Sequence, residues 1–273
     1  MIGYQLFSPE GIGTIQPGAD LARILAYSFE SDGMTLQDGD ILLLAHKIVS
    51  KAEGRVQRLC DVSPSKQALS LARKTGKDAP LVELILEESG EILCAQKGLL
   101  LCRHRLGFVC ADAAVDRSNA GDGMAVLLPI DPDASAARIR RALEARYRCR
   151  LGVIICDTHG RSFREGASGI AIGASGVQML KSYIGQEDRD GRIMHSSVEA
   201  VGDELAAAAT LLMYVVQGLP ALGVETVTIQ SIEEGYRYSG EGDRAVLTPM
   251  WALTTDQGTF LLDCASGALT PME

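Results

Sequence analysis

The chain has 273 residues, 47% hydrophobic and 22% charged, and a formal net charge of −9. That length suits one large domain or two small ones. With only one Trp and five Phe, the core must be mainly aliphatic. The acidic balance argues against general affinity for nucleic acid or an anionic membrane, both of which reward clustered Lys and Arg, but it leaves room for a small phosphorylated ligand bound through a local basic pocket or a cation.

The N-terminal MIGYQLFSPEG lacks the basic region and apolar run of a signal peptide, and no apolar stretch reaches the ~18 residues of a membrane span. The expected location is the cytoplasm. The seven Cys form no C-x-x-C pair, which points to reduced thiols and away from a zinc site.

In chain order, residues 1–20 read as a strand followed by a Gly/Pro loop. Asp20 is placed to cap a helix over Leu21 to Glu30. The turn Asp38-Gly39-Asp40 leads into ILLLAHKIVS, a short apolar run read as a buried strand. SPSKQALSLARKTGK carries helical spacing after a Ser/Pro start, and Asp78-Ala79-Pro80 restarts a helix through LVELILEESG. EILCAQ, GLLLCR and FVCADAAV read as strands, DRSNAGDG as a loop, and AVLLPI as another buried strand. Asp131-Pro132 opens a basic amphipathic helix, LGVIIC is a strand ending at Asp157, and GIAIGASGV is a Gly-spaced strand and turn. SSVEAVGDELAAAATLLMYVV reads as one long helix, and TVTIQSI, AVLTPM and TFLLDC as strands. This mixture without a strict βαβ rhythm predicts an α+β fold, with mixed sheets, packed helices and two interleaved subdomains in one domain over 1–273.

Four clusters carry possible chemistry. Asp116 and Asn119, in AAVDRSN, suit a divalent cation and phosphates, or else an Asx-turn closing a loop. Asp157 and Thr158 end a buried strand, with Arg161 and Arg164 inside the same eight residues. The acid and hydroxyl suit a hard cation and the guanidiniums suit a carboxylate or phosphate, while the ordinary reading is a salt-bridged turn with His159 solvated. His46, Lys47 and Lys51 end the run ILLLA, where Lys can neutralise phosphate charge or simply mark a polar terminus. Glu199 and Asp203, four apart on the long helix, share a face that holds a cation or is merely solvated. There is no G-x-x-x-x-G-K-[ST], no complete G-x-G-x-x-G and no G-x-S-x-G, which removes P-loop chemistry and lowers the case for a dinucleotide fold or a serine hydrolase.

Taken in order, GDILLLAHKIVSKAEGRV (39–56), TGKDAPLVELIL (75–86), GFVCADAAVDRSNA (107–120), LLPIDPDASAARIR (127–140), CDTHGRSFREGASGIAIGASGV (156–177) and the DGR and EAVGDELAAAA segments (190–209) resemble the coenzyme F-420-0:L-glutamate ligases, or γ-glutamyl ligases. The resemblance implies an α+β homodimer that joins L-glutamate to the lactyl-phospho carboxylate of a deazaflavin. It also implies GTP as co-substrate and Mg²⁺ or Mn²⁺ at two sites, with K⁺ as a further cation. It assigns Asp116 and Asp157 to one divalent cation and Thr158 to a second. Ile12, Gly13, Thr14, Ile15, His46, Lys47, Lys51 and Asn119 match nucleotide contacts, Lys51 also assisting the phosphoryl step. Arg161 and Arg164 are our own candidates for a substrate carboxylate or phosphate.

The chain departs from the family pattern in three places. IGTI (12–15) lacks the family's Pro and acidic residue, Asp112 stands where Asn is frequent, and MYVVQGLP (213–220) is one residue short in a nucleotide- and cation-binding segment. The nitroreductase-like domain fused to some members is not expected here. Two alternatives stay open: a ligase of the same scaffold with another acceptor or nucleotide, and a nucleotide-binding homologue without turnover.

Overall fold

A computed structural model of the chain describes residues 5–9, 11–160, 164–218, 229–239, 246–255, 258–263 and 268–272. Two compact units divide the chain: Pro9–Gly160 with Ala167–Ala206, and Met1–Ser8, Arg161–Gly166 with Ala207–Glu273.

The larger unit is built around the two most apolar runs. Strands β1 (Ile41–Ala45) and β7 (Gly152–Gly160) pair in parallel from Ile41↔Gly152 to Ala45↔Cys156, and β8 (Ala167–Ser175) pairs antiparallel on the other side of β7. Helices α1 (Leu21–Ser31) and α5 (Pro132–Tyr147) supply Leu21, Leu25, Phe29, Ile139 and Leu143 to a core shared with Leu42, Leu44, Val153 and Ile155. The i, i+4, i+8 spacing of Leu21, Leu25 and Phe29 makes one buried helix face. Cap chemistry sets where these helices begin. Asp20 Oδ1 accepts from Arg23 N at 3.1 Å, and Asp131 Oδ1 accepts from Ala134 N at 2.8 Å ahead of Pro132.

Short helix α2 (His46–Ala52) follows β1 without a break, then β2 (Val56–Arg58) pairs with β6 (Met124–Val126). Helix α3 (Lys66–Thr75), capped by Ser65 and stopped by left-handed Gly76, packs with α4 (Ala79–Glu88) against the antiparallel sheet β3 (Ser89–Gln96), β4 (Leu99–His104) and β5 (Val109–Ala111). Their side chains form a second core around Val82, Ile85, Leu100 and Cys102. The pair β9 (Lys181–Ser182) and β10 (Val198–Glu199) precedes α6 (Val201–Gly218).

In the smaller unit, β11 (Ile229–Ser239), β12 (Val246–Thr255), β13 (Gly258–Asp263) and β14 (Leu269–Pro271) form an antiparallel meander. Met250, Leu253, Phe260, Leu262 and Leu269 are buried in it. Helices with mixed and antiparallel sheets make the fold α+β, as predicted. Among the described residues no helix is long and apolar enough to cross a membrane.

Several sequence boundaries move. ILLLAHKIVS is strand only to Ala45. From His46 the buried positions His46, Val49 and Ser50 take helical spacing. β7 does not stop at Asp157 but runs to Gly160, held by β8 after β1 has ended. AVLLPI is strand only to Val126, beyond which Leu127 N donates to Arg55 O at 2.9 Å. Glu199 is not helical, because it pairs with Lys181 across β9–β10 and accepts from Tyr183 Oη at 3.0 Å; the shared helix face with Asp203 therefore does not exist. Residues 5–9 and 11–20 contain no strand.

One contact requires glycine. A Cβ on Gly173 of β8 would lie 2.6 Å from the Pro132 carbonyl carbon and 2.9 Å from Asp133 N, so β8 approaches the first turn of α5 only because no side chain is present.

Candidate functional site

Asp157 is the first residue of β7 beyond its parallel partner Ala45↔Cys156, with a register shift between Ile155 and Cys156 beside it. Ending β1 there brings the first residue of α2, His46, alongside. His46 is 2% exposed; its Nδ1 lies 3.3 Å from Ser50 Oγ, one turn along α2, and its Nε2 lies 3.3 Å from Asp157 Oδ1. The second contact is close but poorly aligned, leaving Nε2 a buried nitrogen without a hydrogen bond among the described residues. Burial lowers the imidazole's pKa and outweighs the upward pull of Asp157, so His46 is neutral at pH 7.

The other Asp157 oxygen, Oδ2, is 2.9 Å from Nε2 of His159. A carboxylate only accepts, so this nitrogen carries the proton. Burial pushes the Asp157 pKa upward, but the His159 hydrogen bond and the neighbouring imidazoles outweigh it, and the net shift is downward. His159, only 10% exposed in its side chain, is therefore not the solvated loop histidine of the ordinary reading. Its signal was the i, i+2 spacing with Asp157, which places both on one strand face once β7 is extended to Gly160.

Asp116 is fixed by different means. Its backbone exchanges two hydrogen bonds with Val126 of β6, at 3.0 and 2.7 Å. Its Oδ1 accepts from Ser118 N and its Oδ2 from Ser118 Oγ, both at 2.7 Å, so Asp116 closes an Asx-turn. The same Oδ2 lies 2.6 Å from Lys47 Nζ. Burial raises the Asp116 pKa, but Lys47 and Ser118 outweigh it and hold the carboxyl below its usual range.

A cavity of about 170 Å³ is lined by Asp116, Asp157, Thr158, His159 and the strained turn at Asp112 and Ala114. In that turn Asp112, Ala113 and Ala114 have φ of 54°, 48° and 54°, a left-handed run without glycine. Lys77 Nζ donates to Asp112 Oδ2 at 2.7 Å, and Asp112 Oδ1 is buried without a hydrogen-bond partner among the described residues. A larger cavity, about 400 Å³, lies where α1 starts and α2 ends; it shares no lining residue with the first.

The sequence-predicted residues thus separate into groups. Asp116, Asp157 and Thr158 line one cavity, with His46 and Lys47 holding the two acids. Lys51 lies one turn beyond Lys47 on α2, and Asn119 is exposed in a left-handed conformation in the Asp116 loop. Ile12, Gly13, Thr14 and Ile15 form a loop, but the Ile15 side chain is 5% exposed within the core, so a ligand could meet only its backbone. Arg161, Leu219 and Pro220 lie outside the described residues, and Arg164 is exposed in the smaller unit. Sequence reasoning missed Lys77 and the turn at 112–114.

The donors fit a hard cation that keeps part of its own shell. Two carboxylates are present, and a cation at Asp116 would share or displace the Lys47 ammonium now on its Oδ2. Among the described residues no three His, Cys, Asp or Glu side chains converge as a closed metal site. A cation held by Asp116 and Asp157 would complete its shell with water and ligand phosphate oxygens, the habit of Mg²⁺ and Mn²⁺.

Comparison with known proteins bears on the same segments. A family profile described as F420-0:Gamma-glutamyl ligase matches residues 11–225. The chain is 42% identical to the coenzyme F420:L-glutamate ligase of Methanothermobacter thermautotrophicus, over 91% of this chain and 97% of that protein. It is 42% identical to that of Archaeoglobus fulgidus, over 87% and 94%, and 46% identical to that of Methanopyrus kandleri, over 76% and 81%. With the profile spanning most of its length, and relatives matched nearly end to end, the chain belongs to the F420-0:gamma-glutamyl ligase family.

Proposed function

We propose that this chain is a GTP-dependent ligase that joins the amine of L-glutamate to the lactyl-phospho carboxylate of the deazaflavin F420-0. The carrying observation is that Asp116 and Asp157, from separate segments, line one cavity beside Lys47. Family membership supports the acceptor and glutamate.

The chemistry follows from a poor electrophile. A carboxylate must first exchange hydroxide for a better leaving group. Its oxygen attacks the γ-phosphorus, the bond to the β-phosphate oxygen breaks, and GDP leaves an acyl phosphate. The glutamate nitrogen then attacks the acyl carbon, sheds a proton, and inorganic phosphate departs. A divalent cation, when bound, supplies charge neutralisation to the triphosphate and to the tetrahedral oxyanion. Asp116 and Asp157 hold it. Both carboxyls have lowered pKa values and are anionic at neutral pH. Lys47 and Lys51, one turn apart on α2, face the phosphate charge from the same side of the helix. From the sequence alone, Arg161 and Arg164 are the candidates for a carboxylate of glutamate or the phosphate of the acceptor.

Incubation with GTP, L-glutamate, Mn²⁺ and F420-0, followed by mass spectrometry, tests the reading. The expected product is heavier by one glutamyl residue and appears with stoichiometric GDP and phosphate. GTP turnover without that product, restored by another carboxylate acceptor, would replace the acceptor and keep the ligase.

A further inference from the structure

We propose that Phe108, at the tip of the β4–β5 hairpin, is a positioning residue: through its packing on His159 it sets the direction of the Asp157 carboxylate and so tunes the affinity of the cation site. This rests on the proposed role of Asp157 as a cation ligand.

At Asp157 the strand has, among the described residues, a hydrogen-bonded strand partner on one side only. β1 has ended at Ala45, while β8 continues to pair, Asp157↔Ile170 through Gly160↔Ala167. A carboxylate on a strand supported from one side needs other contacts to keep its orientation. His46 provides one, from a ring buried to 2% exposure. His159 provides the other, but it sits two residues further along the same half-supported segment and has to be fixed in turn.

The hairpin tip supplies that support. The Phe108 ring packs against His159 at 5.2 Å between centroids, inclined by 50°. On its other side Phe108 stacks on His104 at 5.2 Å, with planes 7° apart. His104 is itself locked: it is 3% exposed, its Nδ1 accepts from Leu106 N at 2.9 Å, and its Nε2 lies 3.6 Å from Glu88 Oε2. Glu88 is anchored by Arg55 at 2.8 Å and Arg105 at 2.7 Å. The hairpin closes tightly, with His104 N donating to Phe108 O at 2.8 Å, so the two rings move as one piece. A buried ion cluster in the second core is thereby joined, ring by ring, to a carboxylate in the first. Aromatic pairs with centroids about 4.5–7 Å apart attract beyond simple burial, enough to choose one imidazole orientation. Groups that orient metal ligands typically affect affinity by 10–100-fold.

The test is Mn²⁺ binding by electron paramagnetic resonance on the full chain, without substrate, for wild type, Phe108→Leu, Phe108→Tyr and His159→Phe. Thermal midpoints are measured alongside. His159→Phe keeps a ring against Phe108 but removes the donor to Asp157, and its Mn²⁺ dissociation constant should rise about 10-fold or more. Phe108→Leu keeps apolar bulk without the ring and should raise it by a smaller factor, about threefold. Phe108→Tyr should restore the wild-type value at an unchanged midpoint, which mere loss of packing would not predict. Wild-type affinity in Phe108→Leu overturns the positioning role and leaves the cation site standing. A wild-type chain that binds no Mn²⁺ overturns the cation reading and the positioning role together.

Discussion

Asp157 and His159 share one face of β7, and the imidazole holds one carboxylate oxygen at 2.9 Å while buried His46 faces the other at 3.3 Å. The carboxylate is thus oriented before any ligand arrives. Asp157→Asn keeps the shape but removes the charge, and it puts an amide where His159 needs an acceptor. Ligation rate at saturating GTP and Mn²⁺ is expected to fall on the order of 10²-fold or more, as when a group that stabilises transition-state charge is lost. Asp116→Ala should do the same with circular dichroism unchanged. Near-normal coupled ligation in either folded variant would remove that acid from the site and with it the paired-carboxylate assignment.

Glu88 gives a pH-dependent stability. Burial alone would raise its pKa, but His104, Arg55 and Arg105 outweigh it and bring the carboxyl down from 4.5 to about 2. A depressed folded-state value means that the unfolded chain binds the proton first as pH falls. The stabilisation is therefore complete above about pH 4.5 and is lost as pH falls from there through about 2. Its size is on the order of 3 kcal/mol. Urea unfolding of wild type should weaken over that window, while Glu88→Gln should be weaker at pH 7 and flatter in acid. Equal slopes for the two would show that Glu88 is not ionised in the cluster.

What could be read from the sequence was local. Asp20, Ser65 and Asp131 cap their helices through a side chain three residues from its donor, a signal contained in one turn. Asp116 and Asp157 stood out because acids beside hydroxyl and basic residues at strand ends are unusual. Three of the failures involve constraints from distant parts of the chain. Whether β7 stops at Asp157 depends on β8, and with the strand cut short His159 looked solvated. Glu199 has good helical neighbours but was claimed by Lys181 across a strand pair. Nothing in Asp-Ala-Ala announces a left-handed turn, since its residues adopt that conformation only under tertiary constraint.

The closeness of β8 to α5 should be sensitive to one methyl group. Gly173→Ala would drive a Cβ into the backbone of Pro132 and Asp133, the first turn of α5. Backbone cannot move aside like a flexible side-chain tip, so a loss of about 1–3 kcal/mol or more is expected in the urea midpoint. Gly160→Ala, where nothing among the described residues lies within 4 Å of the added carbon, is the control and should change little. Similar costs at both positions would mean that β8 is not seated on α5.

The left-handed turn beside the cavity predicts the reverse sign. Ala114 has φ of 54°, where a Cβ crowds the following carbonyl at about 1–2 kcal/mol. Ala114→Gly removes that strain but gives the unfolded chain more freedom, a loss of about 0.4–1 kcal/mol. The net expectation is a stabilisation of about 0.5–1 kcal/mol, seen as a higher urea midpoint at constant m. Asp112→Gly has a similar φ to relieve, 54°, yet it deletes the acceptor of Lys77 at 2.7 Å, so its net effect should be destabilising. Because glycine accepts the same backbone angles, Ala114→Gly leaves Asp116 two residues away in place, and Mn²⁺ affinity should stay at the wild-type value. A destabilised Ala114→Gly with weakened Mn²⁺ binding would instead mean that the alanine methyl group packs the turn against the site, and that strain is not what governs this segment.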